Sequence, residues 1–183
     1  MRLFSALELD NDSKQRIFHW KEANLPMLSE HVQVNNYHIT LCFFGEVKSS
    51  KLERLAMGLD EVHDRLETPV LTIKLDQIQF WPKTGIVWIG PSAWPKQLDR
   101  LASSHRNTAA SIEAKKTRNS FQPHVSLTRG VESFLNPPEP PHIELHIKNV
   151  VLYESSNTGA PSMMYRALEH WPLCTMPAFR ERL

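Results

Sequence analysis

Two similar segments constrain the fold of this chain more than any other feature of its sequence. The first, YHITLCFFGE, covers residues 37–46, and the second, PHVSLTRG, covers residues 123–130. Each reads histidine, apolar residue, hydroxyl residue, leucine, and each has a glycine near its end. Because side chains alternate between the two faces of a strand, each segment predicts a strand with one apolar face and one face that carries an imidazole and a hydroxyl.

The alternation assigns the side chains of both segments to definite faces. The polar face of the first strand takes His38, Thr40 and Cys42, and its core-facing side takes Ile39, Leu41 and Phe43. In the second strand His124 and Ser126 share the polar face, while Val125 and Leu127 face the core. If the two strands lie side by side, two imidazoles and two hydroxyls converge on one cleft.

The composition limits the classes of protein that this chain can belong to. Its 183 residues suit one domain, or two small lobes that share a core. A hydrophobic content of 41% and a charged content of 22% are ordinary for a globular protein. The formal charge of +1 excludes a strongly basic, histone-like binder, but a local basic patch is enough for an enzyme that acts on nucleic acid.

The sequence indicates a soluble cytoplasmic protein that does not act in a membrane. Cys42 and Cys174 form neither a metal-binding nor a redox spacing and no disulfide framework, which favours a reducing compartment. The apolar stretch at the N-terminus is too short for a signal peptide. No apolar run approaches the roughly 18 residues that a membrane-spanning helix needs.

The first part of the chain predicts a strand, a helix, the first motif strand and a second helix. RLFSALEL (2–9) is a short apolar strand, and the polar cluster 10–13 offers N-cap residues for a helix that runs to about Ala23. Ser50 and Glu53 fit a capping box at the start of the second helix. The apolar positions of that helix recur at spacings of three and four: Leu52, Leu55, Leu59, Val62 and Leu66.

A hairpin and a third helix precede the second motif. The alternating stretch 70–80 and the stretch 84–90 predict two paired strands that meet at the turn region Pro82–Gly85. The third helix takes Pro95 in its first turn. Its apolar positions are Leu98, Leu101, His105, Ala109 and Ile112.

The rest of the chain predicts strands again. The proline-rich stretch 136–141 predicts a loop, and the stretches 142–155 and 163–171 predict strands. The tail, 174–183, has no clear assignment, and we expect it to be poorly ordered. Because the hairpin and the closing strands are typical of antiparallel pairing, the fold class is α+β rather than a doubly wound α/β sheet.

Paired histidines and hydroxyls suit phosphate-ester chemistry that needs no metal. One neutral imidazole can take a proton from water, and the other, protonated, can give a proton to the leaving oxygen. Two hydroxyls can bind the phosphoryl oxygens on which charge must be held. The ordinary imidazole pKa of about 6.5 allows the two groups opposite protonation states near neutrality, and opposite roles predict a bell-shaped pH profile.

Several segments together resemble the two-histidine phosphoesterase superfamily, within it the bacterial RNA 2′,3′-cyclic phosphodiesterases once named 2′-5′ RNA ligases. The segments that carry the resemblance are RLFSALEL, HITLCFFGEV, VWIG, FQPHVSLTRG and VVLYESS with the Tyr-Arg strand that follows. The resemblance implies a LigT-like, two-lobed, pseudo-symmetric fold, with antiparallel sheets flanking a central cleft and helices on the outside. It also implies that residues 1–183 form a single domain of two interleaved lobes.

The resemblance also implies a role for individual residues. His38 corresponds to the proton donor and His124 to the proton acceptor, which the pseudo-symmetric residues alone do not distinguish. Thr40 and Ser126 correspond to the phosphate-binding hydroxyls, and Ser126 stands where threonine is commoner. Arg129 corresponds to a phosphate contact, although simple alternation places it on the wrong face, so a bulge or the strand end must redirect it. Phe43 is either a base contact or a core residue.

The implied function is metal-independent hydrolysis of RNA 2′,3′-cyclic phosphate ends to 2′-phosphomonoesters. We expect no cofactor, an RNA end or related nucleotide as partner, and a monomer without an obligate protein partner. One alternative keeps the site but changes the reaction, to joining or cleaving 2′-5′ RNA linkages or opening a cyclic phosphate on a nucleotide or an ADP-ribose derivative. A second alternative is an RNA-end binder without catalysis, which would not need an acid–base pair.

Other candidate sites have simpler interpretations. His142, Glu144 and His146 share one strand face and offer three possible metal ligands, but a solvent-facing row is the preferred interpretation. A basic segment before the second motif, 115–118, is either a guide for RNA or an ordinary solvated loop. The tryptophans are interpreted mainly as packing residues. The histidines outside the paired motifs receive no functional role.

Overall fold

The computed structural model describes residues 1–25, 32–114, 120–135, 139–156 and 164–175. Its helices and strands, in chain order, are β1 (Arg2–Glu8), α1 (Asn11–Asn24), β2 (His38–Glu46), α2 (Ser49–Leu66), β3 (Leu71–Leu75), β4 (Gln77–Trp81), β5 (Ile86–Gly90), α3 (Lys96–Ser111), β6 (Val125–Thr128), β7 (Ile143–Ile147), β8 (Asn149–Ser156) and β9 (Met164–Pro172). Every pairing between these strands is antiparallel, so the predicted α+β class is confirmed.

A four-stranded sheet in the order β2-β1-β8-β9 forms one side of the molecule. Its inner strand β1 is paired on both edges and is buried from Leu3 to Leu7, which explains why RLFSALEL is apolar almost throughout. The two faces of β1 have different neighbours. Ser5 contacts the helix α3, whereas Phe4 points to the opposite face, toward a cleft.

Two smaller sheets complete the strand pairing, a three-stranded sheet β4-β5-β6 and a two-stranded sheet β3-β7. The predicted hairpin with 84–90 is confirmed for β4 and β5, but the prediction of one strand over 70–80 is wrong. The chain turns at Asp76, whose carboxylate accepts hydrogen bonds from the backbone and side chain of Ser92 at 2.6 and 2.7 Å. This turn sends β3 and β4 into different sheets.

The predicted strand over 142–155 is divided in the same way. It consists of β7 and β8, which belong to different sheets and are separated at Lys148. In β7 the apolar residues are buried and the polar ones exposed, in strict alternation. His146 and Glu144 are both more than half exposed and contact each other at 3.2 Å, so the interpretation of this row as solvent-facing is confirmed.

The helices α2 and α3 bury most of their predicted apolar positions, whereas the predicted N-terminal caps are confirmed only for α1. Asp10 caps α1 by accepting a hydrogen bond from the Ser13 amide at 2.8 Å, as predicted. The capping box predicted for α2 is wrong, because the helix begins at Ser49 after Lys48 and no side chain caps it. Pro95 is the N-cap residue of α3 and precedes its first turn. The apolar residues of α2 and α3 that are buried are Leu55, Leu59, Val62, Leu98, Leu101, Ala102 and Ala109.

Two histidines without a predicted role join α2 and α3 to β1. His105 is fully buried, and its Nδ1 lies 2.9 Å from the Ser5 hydroxyl while its Nε2 lies 3.2 Å from His63 Nε2. His63 stacks on Trp171 at 4.9 Å between ring centroids. Burial lowers the pKa of His105 to about 3 and that of His63 to about 4, so both imidazoles are neutral near pH 7. The pair is part of the packing.

Three segments for which the sequence made a prediction lie partly or wholly outside the described residues. Cys174 forms a bridge with Pro69, but residues 176–183 of the predicted tail, 115–118 of the basic segment and 136–138 of the proline-rich loop are not among the residues described. Cys42 and Cys174 are both free thiols. Within the described ranges, no helix is long and apolar enough to span a membrane.

Candidate active site

A cleft of about 640 Å³ contains both paired motifs. One side of it comes from the four-stranded sheet through β1, β2, β8 and β9, and the other from the three-stranded sheet through β4, β5 and β6. The motif strands β2 and β6 therefore belong to different sheets and are not paired side by side. The cleft brings together all six residues singled out from the sequence: His38, Thr40, Phe43, His124, Ser126 and Arg129.

The backbone just before His38 fixes the orientation of its imidazole. Nδ1 lies 2.6 Å from the carbonyl oxygen of Asn36, two residues earlier, so this nitrogen carries a proton and donates it. Nε2 is then directed at the cleft, where it lies 3.1 Å from the Thr40 hydroxyl. The ring packs against Phe4 at 5.0 Å and meets Tyr165 edge-on at 5.3 Å between centroids.

A hydrogen bond to a main-chain carbonyl orients His124 in the same way on the other side of the cleft. Its Nδ1 donates to the carbonyl oxygen of Gln122, also two residues earlier, at 2.8 Å. Two tryptophan rings contact the imidazole edge-on, Trp81 at 4.6 Å and Trp88 at 5.6 Å between centroids. As in the first motif, Nε2 is left as the nitrogen that can exchange a proton with a substrate.

Both motif strands are bulged three residues after the histidine. Leu41 is an extra residue of β2 opposite β1, and Leu127 is the extra residue of β6 opposite β5; β2 has a second shift of register at Phe44. A bulge breaks the alternation of faces, so the side chains that follow it change sides. The predicted redirection of Arg129 is confirmed, since Arg129 lines the cleft just after the end of β6.

The first bulge also overturns part of the face assignment made from the sequence. Phe43 does not face the core with Ile39 and Leu41 but is 49% exposed in the cleft. Its neighbour Phe44 is completely buried instead, and Cys42, predicted for the polar face, is 5% exposed. The core interpretation of Phe43 is therefore wrong, and its ring is placed where a ligand can contact it.

Burial depresses the proton affinity of both imidazoles. It lowers the pKa of His38 to about 4, against the hydrogen bond to Asn36, which raises it, and the charges of His124 and Arg129 lower it further. Burial also lowers the pKa of His124, again opposed by a backbone hydrogen bond and assisted by Arg129. Both imidazoles are therefore neutral near pH 7 in the free protein, and each of them responds to nearby charge.

The cleft concentrates positive charge in a chain of nearly neutral total charge. Its lining includes four cationic side chains: Arg2, Lys83, Arg106 and Arg129. No aspartate or glutamate is among the described residues that line it. A concave site lined by a single sign of charge raises the local concentration of ligands of the opposite sign. The arrangement therefore suits an anionic ligand, and phosphate in particular.

Several cleft residues lie outside both motifs and were not found from the sequence. Phe4 and Arg2 come from β1, Tyr165 from β9 and Arg106 from α3. The sequence predicted the strands and the helix that carry these residues, but it did not show which face of each element borders the cleft. Of the tryptophans, Trp81 lines the cleft, whereas Trp171 packs against His63. No cluster of three or more metal-ligating side chains occurs among the described residues.

Known proteins resemble this chain in sequence. Residues 14–88 match the family described as LigT like phosphoesterase. The RNA 2′,3′-cyclic phosphodiesterase of Escherichia coli (strain K12) is 30% identical over 174 residues, which cover 94% of this chain and 96% of that protein. The protein of the same name from Methanocaldococcus jannaschii is 29% identical over 132 residues, which cover 70% of this chain and 71% of that protein.

Solved structures resemble it in fold. The crystal structure of E. coli LigT complexed with 3′-AMP superposes with a TM-score of 0.85 at 29% identity, covering 94% of this chain and 97% of that one. A structure from Thermus thermophilus superposes with a TM-score of 0.76 at 20% identity, covering 94% of this chain and 98% of that one. The second likeness concerns the fold alone.

Proposed function

Since this chain belongs to the LigT-like phosphoesterase family, we propose that it hydrolyses the 2′,3′-cyclic phosphate at the end of an RNA strand to a 2′-phosphomonoester. One observation carries the proposal. Two imidazoles share a cleft lined by cationic side chains, and each donates Nδ1–H to a carbonyl, so that Nε2 is the nitrogen left for proton transfer. The names of the related enzymes from E. coli and M. jannaschii describe activity on this class of substrate.

The proposed reaction requires one proton transfer at each imidazole. His124 Nε2 takes a proton from water, and the water oxygen attacks phosphorus. The bond between phosphorus and the 3′ oxygen breaks, and His38 Nε2–H gives its proton to that departing oxygen. The acid and base roles follow the family resemblance. Because the two histidines supply both proton transfers, the proposal involves no metal ion or cofactor.

Three further side chains would hold the phosphoryl group. The hydroxyls of Thr40 and Ser126 and the guanidinium of Arg129 line the same cleft and can donate hydrogen bonds to the non-bridging oxygens. Thr40 lies 3.1 Å from His38 Nε2, so it is placed beside the proposed acid. Phe43, half exposed in the cleft, would stack on the terminal base.

The proposed acid must gain a proton when substrate binds. Burial holds the His38 pKa near 4 in the free protein, but the negative charge of a bound cyclic phosphate favours the protonated imidazole. The same charge acts on His124, whose role requires the neutral form. Substrate binding with proton uptake at His38 would therefore assemble the active protonation state.

Product analysis is the test that decides the proposal. RNA that ends in a 2′,3′-cyclic phosphate is incubated with the protein, with and without EDTA, and the terminal phosphate isomer is identified. We expect a 2′-phosphate in both conditions. A 3′-phosphate would contradict the assignment of the leaving oxygen, and loss of activity in EDTA would contradict the metal-independent mechanism. Rates on 2′-5′-linked oligonucleotides and on cyclic mononucleotides, measured in parallel, would show whether another reaction is preferred.

A further inference from the structure

A row of hydrogen-bond donors crosses the four-stranded sheet at one end of the cleft. Arg2 of β1 lies directly opposite Ser155 of β8, and Ser155 lies directly opposite Tyr165 of β9. Residues opposite each other in antiparallel strands point to the same face, and all three of these line the cleft. The Ser155 hydroxyl donates to the carbonyl oxygen of Arg2 at 3.4 Å, and it can turn from that oxygen to a ligand. A guanidinium, an aliphatic hydroxyl and a phenol can all donate to one anionic group.

This row is connected to the catalytic pair through Tyr165. The Tyr165 ring meets His38 edge-on at 5.3 Å, and it packs against Phe4 at 4.9 Å between centroids. The charges of both Arg129 and Arg2 lower the phenol pKa, although burial raises it overall. Tyr165 is therefore within electrostatic reach of the arginine beside the histidines and of the arginine at the end of the cleft.

An aromatic surface separates the two arginine-bearing ends. Phe4 lies two residues from Arg2 on the same face of β1, about 7 Å along the strand, and its ring contacts His38. Phe43 is paired with Phe4 in the neighbouring strand, with 5.8 Å between ring centroids. Nucleic-acid bases stack on aromatic side chains, so this surface suits the nucleoside that lies between two phosphates.

Arg2 also has its charge available for a ligand. It is exposed, and no ion pair involves it within the described ranges. Glu46, which lies opposite Arg2 in β2, instead contacts the amino group of Met1 at 3.6 Å. A cyclic phosphate carries one negative charge, which Arg129 can neutralise. A cationic side chain at the far end of the cleft indicates a ligand with a further phosphate.

We propose that Arg2, Ser155 and Tyr165 form a second phosphate subsite, which binds the phosphate on the 5′ side of the terminal nucleotide. The inference rests on the proposed function, because it takes the cyclic phosphate between His38 and His124 as its reference point. It makes an RNA strand the preferred substrate over a cyclic mononucleotide without a 5′-phosphate. The selectivity comes from backbone phosphate and not from base identity.

Equilibrium binding of two product-like probes tests the subsite directly. A nucleoside 2′-phosphate and the corresponding nucleoside 2′,5′-bisphosphate differ only in the 5′-phosphate, and calorimetry gives Kd for each. We expect the wild type to bind the bisphosphate about tenfold more tightly, as a charge-assisted contact allows. Arg2→Gln should reduce the ratio of the two Kd values to near one, and Ser155→Ala should reduce it by less.

Arg106→Gln is the matched control, because it removes an equal charge from the cleft wall formed by α3. It should weaken both probes alike and leave their ratio unchanged. Equal affinity of the wild type for both probes would overturn the proposal. An unchanged ratio of the two Kd values in Arg2→Gln would also overturn it. The same holds if Arg106→Gln lowers that ratio as much as Arg2→Gln does.

Turnover separates this inference from the proposed function. The hydrolysis of a nucleoside 2′,3′-cyclic phosphate is compared with that of its 5′-phosphorylated counterpart. If the wild type opens both with the same kcat/KM and binds both probes equally, the subsite is wrong and the proposed function stands. If it opens neither, the proposed function fails, and the ratio of the Kd values still decides whether the subsite exists.

Discussion

The two halves of the cleft share a backbone plan and differ in what surrounds each histidine. In both halves the imidazole donates to the carbonyl oxygen two residues before it, and the strand is bulged three residues after it. His38, however, packs against Phe4 and Tyr165 and contacts the Thr40 hydroxyl. His124 lies against the edges of two tryptophans.

Two properties of each imidazole in the cleft are set by different parts of the structure. Its direction is set by main-chain atoms and is the same in both halves. Its proton affinity is set by side chains and burial, which differ between the halves. A pseudo-symmetric backbone can therefore support unlike roles, because the surroundings of each copy can be changed without moving the nitrogen that faces the cleft.

The largest expected effect comes from removing either imidazole. If both halves contribute a proton transfer, His38→Ala and His124→Ala should each lower kcat on cyclic-phosphate RNA by about 10²- to 10⁴-fold. His19→Ala, which removes an exposed histidine of α1, is the control and should leave the rate unchanged. Full activity in one of the two cleft variants would show that the halves are not two parts of one acid–base pair.

The next effect tests the bulge at Leu41. Phe44→Ala should lower the free energy of unfolding by about 3–5 kcal/mol, because Phe44 is completely buried. Phe43→Ala should lower it by less than about 1 kcal/mol and instead raise KM for RNA, because Phe43 is half exposed in the cleft. Chemical denaturation and steady-state kinetics measure the two quantities. The reverse pattern would show that the strand follows simple alternation after all.

The pH dependence should reveal the lowered proton affinity of the free site. His38, the proposed acid, has to be protonated to act, and its pKa is lowered, so kcat/KM should fall about tenfold for each pH unit above neutrality. The kcat profile should stay flat to a higher pH, because a bound phosphate would raise the pKa of His38. The maximum of the kcat/KM bell should lie below pH 6.5.

The acid limb of that profile needs a control for unfolding. His63 and His105 have lowered pKa values in the folded state, so the unfolded chain binds more protons below pH 6.5. The stability that these neutral histidines contribute is present above pH 6.5 and decreases as pH falls toward 4. Thermal unfolding at each pH identifies the range in which the protein stays folded. A kcat/KM that rises through pH 8 would contradict the prediction.

The smallest effects concern the two hydroxyls. Thr40→Val and Ser126→Ala should each lower kcat/KM about tenfold, since each removes one of the hydroxyls proposed to donate a hydrogen bond to the phosphoryl group. Ser126→Thr keeps the hydroxyl and should stay within about threefold of the wild type. Steady-state kinetics on the same RNA compares all three variants. If Thr40→Val is harmless while Ser126→Ala is not, the hydroxyls have unlike roles in the two halves.

Local periodicity was sufficient to predict most elements of this fold and both motif strands. Alternation placed His38 and Thr40 together on the cleft side of β2, and the apolar spacing predicted α2 and α3. Local periodicity did not predict the end of a strand where that end depends on the strand with which it pairs. The stretch 70–80 keeps its alternating pattern across Asp76, so nothing local marks the point at which the chain passes into another sheet.

The site was predictable only as far as its residues lie in the motifs. Arg2 and Tyr165 reach the cleft because β1 pairs with β8 and β8 pairs with β9, and long-range pairing of this kind leaves no trace in either segment. The bulge at Leu41 likewise depends on the register with β1. The redirection of Arg129 was predictable because its implied phosphate contact conflicted with simple alternation.

The extra leucine in each motif strand also sets how the chain tolerates changes of length. Deleting Leu41 would remove the bulge and restore regular pleating, but it would leave Cys42 opposite Ser5 and Phe43 opposite Phe4, so the inward and outward sets beyond Thr40 would stay as they are. The same holds for Leu127 and the residues that follow Ser126. In these two strands deletion of a paired residue is therefore the more severe change, because it shifts the register by one and reverses the faces of the residues beyond it, whereas deletion of the extra leucine does not.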